Sequence, residues 1–226
     1  MIESERARLP ERVFRQEYEA AFIEGSGAVF RNIRESATGS FREPVRGMTY
    51  YAGLDLAKVE DYTVLVVMDH DARVVFVDRF NRLDWNIQIA RIRATLERYN
   101  RALVHVDSTG VGEPIYEALC REGISAKPYA FSAKSKADLV NCLALAFERL
   151  EIELPIPGAW PEGIEELESF EYSVTNLGHV RSGAPSGQHD DCVMALALAV
   201  WPILGFGGPS IPYADVIMPE GSGWWA

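Results

Sequence analysis

The chain has 226 residues, 48% of them hydrophobic and 24% charged, with a formal net charge of −11. That size suits one full domain with appendages, and the acidity argues against a free-standing, tight nucleic-acid binder, whose affinity comes from Lys and Arg on phosphates. No apolar run reaches the length of a membrane span, the N-terminus lacks the apolar core of a signal peptide, and three scattered cysteines outline neither a zinc site nor a disulfide framework, so a reducing, cytosolic compartment fits best.

Residues 1–47 are mixed and charged, with a helical stretch expected over 10–24 and a polar run after it. They read as a lead-in or linker rather than a core-forming unit. From residue 49 the pattern changes to three strand-like runs rich in Val, Tyr and Phe, at 49–57, 62–70 and 72–80. Asp69, His70 and Asp71 form the turn between the second and third. A helix follows over 85–100, a buried strand over 102–108, a helix over 110–123 stopped by Gly123, and a short strand over 125–131. Ser132 is placed to cap a long helix. Beyond Pro155 and Pro157 come another helical face, a hairpin over 172–182 turning at Asn176, Leu177 and Gly178, and an apolar helix from about His189 to Leu204. The Gly- and Pro-rich residues 207–226 read as a flexible tail. Three antiparallel strands leading into alternating strands and helices imply one α/β domain, over 48–206, with a mixed sheet flanked by helices on both faces.

Carboxylates stand at three strand or helix ends. Asp55 lies inside an apolar strand, where burial is costly unless something positive pairs with it. Asp107 ends a second apolar strand before a Gly-containing turn, where it could simply cap the turn. Asp190 and Asp191 open the late helix, where acids are favoured by the exposed N–H groups and the dipole whether or not they have another task. The element order sets the first two strands side by side, and the late helix can present its acidic end to both. Carboxylates so clustered repel one another, and divalent cations with a preference for oxygen, Mg²⁺ or Mn²⁺, relieve that repulsion. Two such ions about 4 Å apart can activate a water and steady the leaving oxygen of a phosphodiester.

The strand acid in GLDLAKVEDYTVLVVMD, the strand-end acid in VHVDSTGVGEPIYEAL and the helix acids in HDDCVMALALAV resemble, in order and spacing, the nuclease part of tailed-bacteriophage large terminase subunits. The lead-in LPERVFRQEYEAAFIEGSGAVF is similar to the segment that joins that family's ATPase to its nuclease. The resemblance covers residues from about 9 to 204 and implies a ribonuclease H-like fold. It also implies low-specificity, two-metal cleavage of double-stranded viral DNA during packaging, in the host cytoplasm. By the same resemblance Asp55 would bridge the metals and Asp107 would match the second acid. Asp190 and Asp191 would match the helix pair, with Asp191 favoured as direct ligand and Asp190 as ligand or outer partner. Asp61 and His189 are candidates for an outer role. Asp61 reads first as a solvated turn residue, and His189 first as a local hydrogen-bonding residue. Lys58, Lys127, Lys134, Lys136 and Arg181 are candidate phosphate contacts, or else a solvated face.

The phosphate-cradling sequence G-x-x-x-x-G-K-[ST] does not occur, so ATP hydrolysis is not expected of this chain. The implied partners are the ATPase domain, a portal and a small terminase subunit. Two other readings compete: a different ribonuclease H-like nuclease, such as a junction resolvase or hybrid nuclease, and a catalytically silent docking module.

Overall fold

The computed structural model describes residues 6, 9–19, 27–56, 61–109, 112–174 and 180–204. Its centre is a five-stranded sheet of β2 (Tyr50–Asp55), β3 (Thr63–Asp69), β4 (Val74–Phe80), β5 (Leu103–Asp107) and β6 (Ala126–Tyr129), in the spatial order β4-β3-β2-β5-β6. β2 pairs antiparallel with β3, and β3 with β4, whereas β2–β5 and β5–β6 are parallel. This is the mixed sheet with three leading antiparallel strands that the sequence implies. β3 is buried along its whole length, as its unbroken apolar run TVLVVM requires of a strand covered on both faces.

Two helical layers cover the sheet. Helices α3 (Trp85–Arg98) and α4 (Gly112–Arg121) bury Ile92, Leu96, Ile115 and Leu119 against Ala52, Leu54, Val104 and Val106 on one face. The other face carries Val64, Val66 and Met68 and receives α5 (Ala133–Glu148), α6 (Pro161–Ser169) and α7 (Asp191–Leu204). Asp84 caps α3 by accepting the Asn86 N–H at 2.9 Å, and Ser132 with Ser135 closes a reciprocal capping box on α5.

Gly53 sets how α7 meets the sheet. A Cβ there would lie 2.0 Å from the Ala195 carbonyl oxygen and 2.5 Å from the Ala199 nitrogen. Only a glycine lets the helix lie directly on β2, with its alanines inward. Because side chains alternate across a strand, Asp55 shares that face with Gly53, and Asp107 shares it with His105, which pairs with Gly53.

A second, three-stranded sheet, β1-β7-β8, is antiparallel throughout and is built from β1 (Gly27–Ala28), β7 (Glu171–Val174) and β8 (Val180–Gly183). Its strands β7 and β8 are the expected hairpin arms, and the residues expected at its turn lie outside the described residues. α1 (Glu11–Tyr18) covers part of the expected 10–24 helix.

The segment 27–39 differs from the linker expected over 1–47. It supplies β1 and the short α2 (Ile33–Ser36), and it buries Val29, Phe30, Ile33 and Ala37 in the α5–α7 core. Phe30 stacks on Phe170 with centroids 5.3 Å apart. Its apolar residues follow neither a helical nor a strand period, so only the surface they meet makes them core. The expected tail, 207–226, falls outside the described residues.

Candidate metal centre

Asp55, the last residue of β2, and Asp107, the last of β5, stand at the same edge of two neighbouring parallel strands. Asp190 and Asp191 arrive there at the N-terminal end of α7. Burial pushes the Asp55 carboxyl well above its ordinary value, and the charges of Asp191, Asp107 and Asp190 push it further, with Lys136 opposing them. Burial also raises Asp191, which the Tyr62 N–H, donating to its Oδ2 at 3.1 Å, partly offsets. The described structure therefore brings together all four acids singled out in the sequence. Such a group is electrostatically unsatisfied without added positive charge.

Asp107 has a second engagement, because its Oδ1 accepts the Thr109 N–H at 2.8 Å. The turn-capping alternative thus holds for one oxygen, while the charge still acts on Asp55. The helix-capping alternative for Asp190 and Asp191 fares differently. Among the described contacts neither carboxylate accepts a hydrogen bond from α7. Asp190 Oδ2 takes Lys136 Nζ at 3.1 Å, and Asp191 Oδ2 takes Tyr62. The helix end is met instead by Glu166 of α6, whose Oε2 accepts the Cys192 N–H at 2.7 Å.

Asp61 and His189, the candidates for an outer role, both lie beside Asp191. His189 Nδ1 is 3.3 Å from Asp61 Oδ1 and 3.7 Å from Asp191 Oδ2. Donor atoms of Asp61, His189 and Asp191 all fall within 4.8 Å of one another, as a shared metal ion requires. Carboxylate oxygens with one imidazole nitrogen make a donor set open to Mg²⁺ and well suited to Mn²⁺, so the residues present fit the ions the sequence implies.

Of the basic candidates among the described residues, Lys136 pairs with Asp190 and is the one brought into the cluster. Lys134 is exposed on the first turn of α5. Lys127 is exposed on β6, and Arg181 is exposed on β8, which packs against α5. Lys58 lies outside the described residues. Sequence reasoning missed Tyr62, Arg79 and Glu166. The Arg79 guanidinium sits 3.3 Å from the Tyr62 ring centroid and 3.7 Å from Glu166 Oε1. The acid in PEGIEELES at a buried helical position is the one signal that could have pointed to Glu166.

A sheet of this order, with acids at the ends of its first and fourth strands and at the start of the last helix, defines a ribonuclease H-like domain. Residues 52–201 match the family described as Terminase RNaseH-like domain, and the chain belongs to that family. Similar curated proteins include the terminase large subunits of Thermus virus P23-45, 35% identical over 205 residues, and of Thermus phage G20c, 34% identical. Each match covers 86% of this chain and 42% of the relative, so the chain spans less than half the length of these relatives. Among solved structures, the large terminase nuclease of phage G20c with bound magnesium superposes with a TM-score of 0.71 at 30% identity, covering 79% of this chain and 98% of that one. The large terminase nuclease domain of Thermus phage P74-26 gives a TM-score of 0.71 at 29% identity, covering 80% of this chain and 98% of that one. The nuclease domain of the bacterial virus Sf6, 12% identical with a TM-score of 0.56 and covering 77% of this chain and 98% of that one, shares the fold.

Proposed function

We propose that this domain is a Mg²⁺- or Mn²⁺-dependent endonuclease that cuts double-stranded viral DNA with little sequence preference during genome packaging. The observation that carries the reading is the convergence of Asp55, Asp107, Asp190 and Asp191 on one sheet edge, with Asp61 and His189 against Asp191. The metal-bound relatives support it. In this reading Asp55, on which the charges of the other three acids act, would be the ligand common to both ions, and Asp107 and Asp191 would help to hold them. Asp190, paired here with Lys136, would be a further ligand. Bound there, two divalent ions would supply the charge that activates water and stabilises the leaving oxygen. His189, 3.7 Å from Asp191 Oδ2, would steady that carboxylate, and Asp61 would add a further donor oxygen on the same side of the site. Lys136 and Lys134, with Arg181 on the neighbouring strand, would receive the phosphates of the duplex.

Packaging further implies a motor ATPase, a portal and a small terminase subunit as partners, and action in the host cytoplasm. Those partners would hold DNA for a domain whose net charge of −11 disfavours tight binding of its own.

The test is plasmid cleavage by this chain with Mg²⁺, Mn²⁺ or EDTA, beside Asp55→Asn and Asp191→Asn, with branched DNA and RNA–DNA hybrid as competing substrates. Metal-dependent nicking and linearisation, lost in both variants, is the expected result. Activity that survives both substitutions would overturn the site. Strong preference for branched or hybrid substrate would move the domain to another ribonuclease H-like activity. A folded protein that binds neither metal would leave a docking module.

A further inference from the structure

The N-terminal end of α7 presents a problem that the metal reading makes sharper. A helix start needs acceptors for its first N–H groups, and Asp190 and Asp191 are the nearest carboxylates in sequence. A carboxylate that caps its own helix commits one of its two oxygens there and is less free to turn towards a metal. Here the acceptor comes from another helix, because Glu166 of α6 reaches Cys192.

Glu166 is an unusual choice for structural support alone. It is 7% exposed, and its Oε1 has no hydrogen-bond partner. The nearest cation, Arg79, stands 3.7 Å from that oxygen and leaves its own buried Nε without a hydrogen bond. Arg79 instead sits over the ring of Tyr62, whose backbone N–H holds Asp191 and whose ring meets His189 edge-on at 5.8 Å. Glu166 and Arg79 therefore grip the residues flanking the acids, Cys192 on one side and Tyr62 on the other, and touch none of the proposed ligands. A pair kept for stability alone would be expected to use its hydrogen-bonding capacity on itself.

We infer that Glu166 and Arg79 are positioning residues: Glu166 caps α7 from outside so that Asp190 and Asp191 are left free for metal, and Arg79 braces Tyr62 and Glu166 to hold Asp191 towards Asp61 and His189. The inference rests on the proposed metal-dependent function and adds to it the residues that orient the ligands. Partners that orient metal ligands from outside typically affect metal affinity by about 10- to 100-fold when removed.

The experiment measures free Mn²⁺ by electron paramagnetic resonance in titrations of the whole chain, with circular dichroism melts as the check on folding. Glu166→Ala should weaken Mn²⁺ binding about tenfold at a temperature where it remains folded. Glu166→Gln, whose amide oxygen can still accept the Cys192 N–H, should return to within about threefold of wild type. Arg79→Met, which keeps an apolar cover on Tyr62 without the guanidinium, should weaken binding by an intermediate factor. A folded Glu166→Ala protein with wild-type Mn²⁺ affinity overturns the inference, even if its melting temperature falls. Should Glu166→Ala not fold, wild-type affinity in Arg79→Met overturns it equally. Failure of the wild-type protein itself to bind Mn²⁺ would instead count against the function.

Discussion

Replacing Gly53 by alanine puts one methyl group at the point where α7 crosses β2. The added Cβ would lie 2.0 Å from the Ala195 oxygen, 2.5 Å from the Ala199 nitrogen and 2.8 Å from Leu198 Cβ. Two of those neighbours are backbone, so no rotamer change clears them. The helix must withdraw by about 1.4 Å to restore ordinary contact. That withdrawal loosens α7 from Val64 and Val66 on β3 and lifts Asp191 from Asp55. Overpacking of this kind costs about 3 kcal/mol, which for a domain of this size lowers Tm by about 6–12 °C. A displacement of about 1 Å at a ligand should also slow cleavage by about 100-fold at temperatures well below the new Tm. Calorimetry and plasmid cleavage with Mg²⁺ measure the two effects. Gly158→Ala is the control, because a Cβ there meets nothing within 4 Å, and it should stay within about 1 kcal/mol of wild type. A Gly53→Ala protein that melts within about 2 °C of wild type and cuts at the same rate would refute this account of how the helix positions the acids.

Asp55→Asn should act with opposite signs in two conditions. Without metal it removes a buried charge from among three others and raises Tm, whereas with Mg²⁺ it loses the ligand and abolishes cleavage. Because the folded Asp55 carboxyl is raised, the folded state binds more protons than the unfolded one above the ordinary carboxylate range. In EDTA wild-type stability should therefore fall as pH rises there, with a slope that Asp55→Asn reduces. His105 gives the reverse slope: burial, helped by the charge of Lys127, lowers it to about 4, so the unfolded chain takes up the proton first. Its contribution is present above pH 6.5 and is lost as pH falls towards about 4. Urea melts over that range should show a loss on the order of 3 kcal/mol that His105→Leu removes. Lys136→Met should cost about 1 kcal/mol in EDTA, where Lys136 neutralises Asp190, and nothing in saturating Mg²⁺. An equal loss in both conditions would show that Lys136 only packs.

Much of the fold is legible along the chain because the signals are local. The apolar runs of β2, β3 and β5 announce strands, the turn at Asp69–Asp71 announces a hairpin, and the capping serine announces α5. The four acids stand out because each interrupts, ends or opens an apolar run, where a carboxylate without a partner is costly. Local signals fail where several spatial partners are possible. Asp61 and His189 read as turn and helix-edge residues until β2, β3 and α7 meet, and only then do their donor atoms fall beside Asp191. Lys136 reads as one of several lysines, and packing of α5 beside α7 selects it for Asp190.

By itself, then, the sequence determined the order of the central-sheet strands and their helices and singled out the acids, since hydrophobic period and the cost of a buried charge act within a few residues. Tertiary structure alone decided how those acids are held. Glu166 caps a helix that starts 25 residues later in the chain, Arg79 reaches it across Tyr62, and the short run at Val29 and Phe30 becomes core only against α5 and α6. The physical reason is that hydrogen bonds and burial depend on distance in space, and each of these residues has several equally good roles until the chain has folded around it.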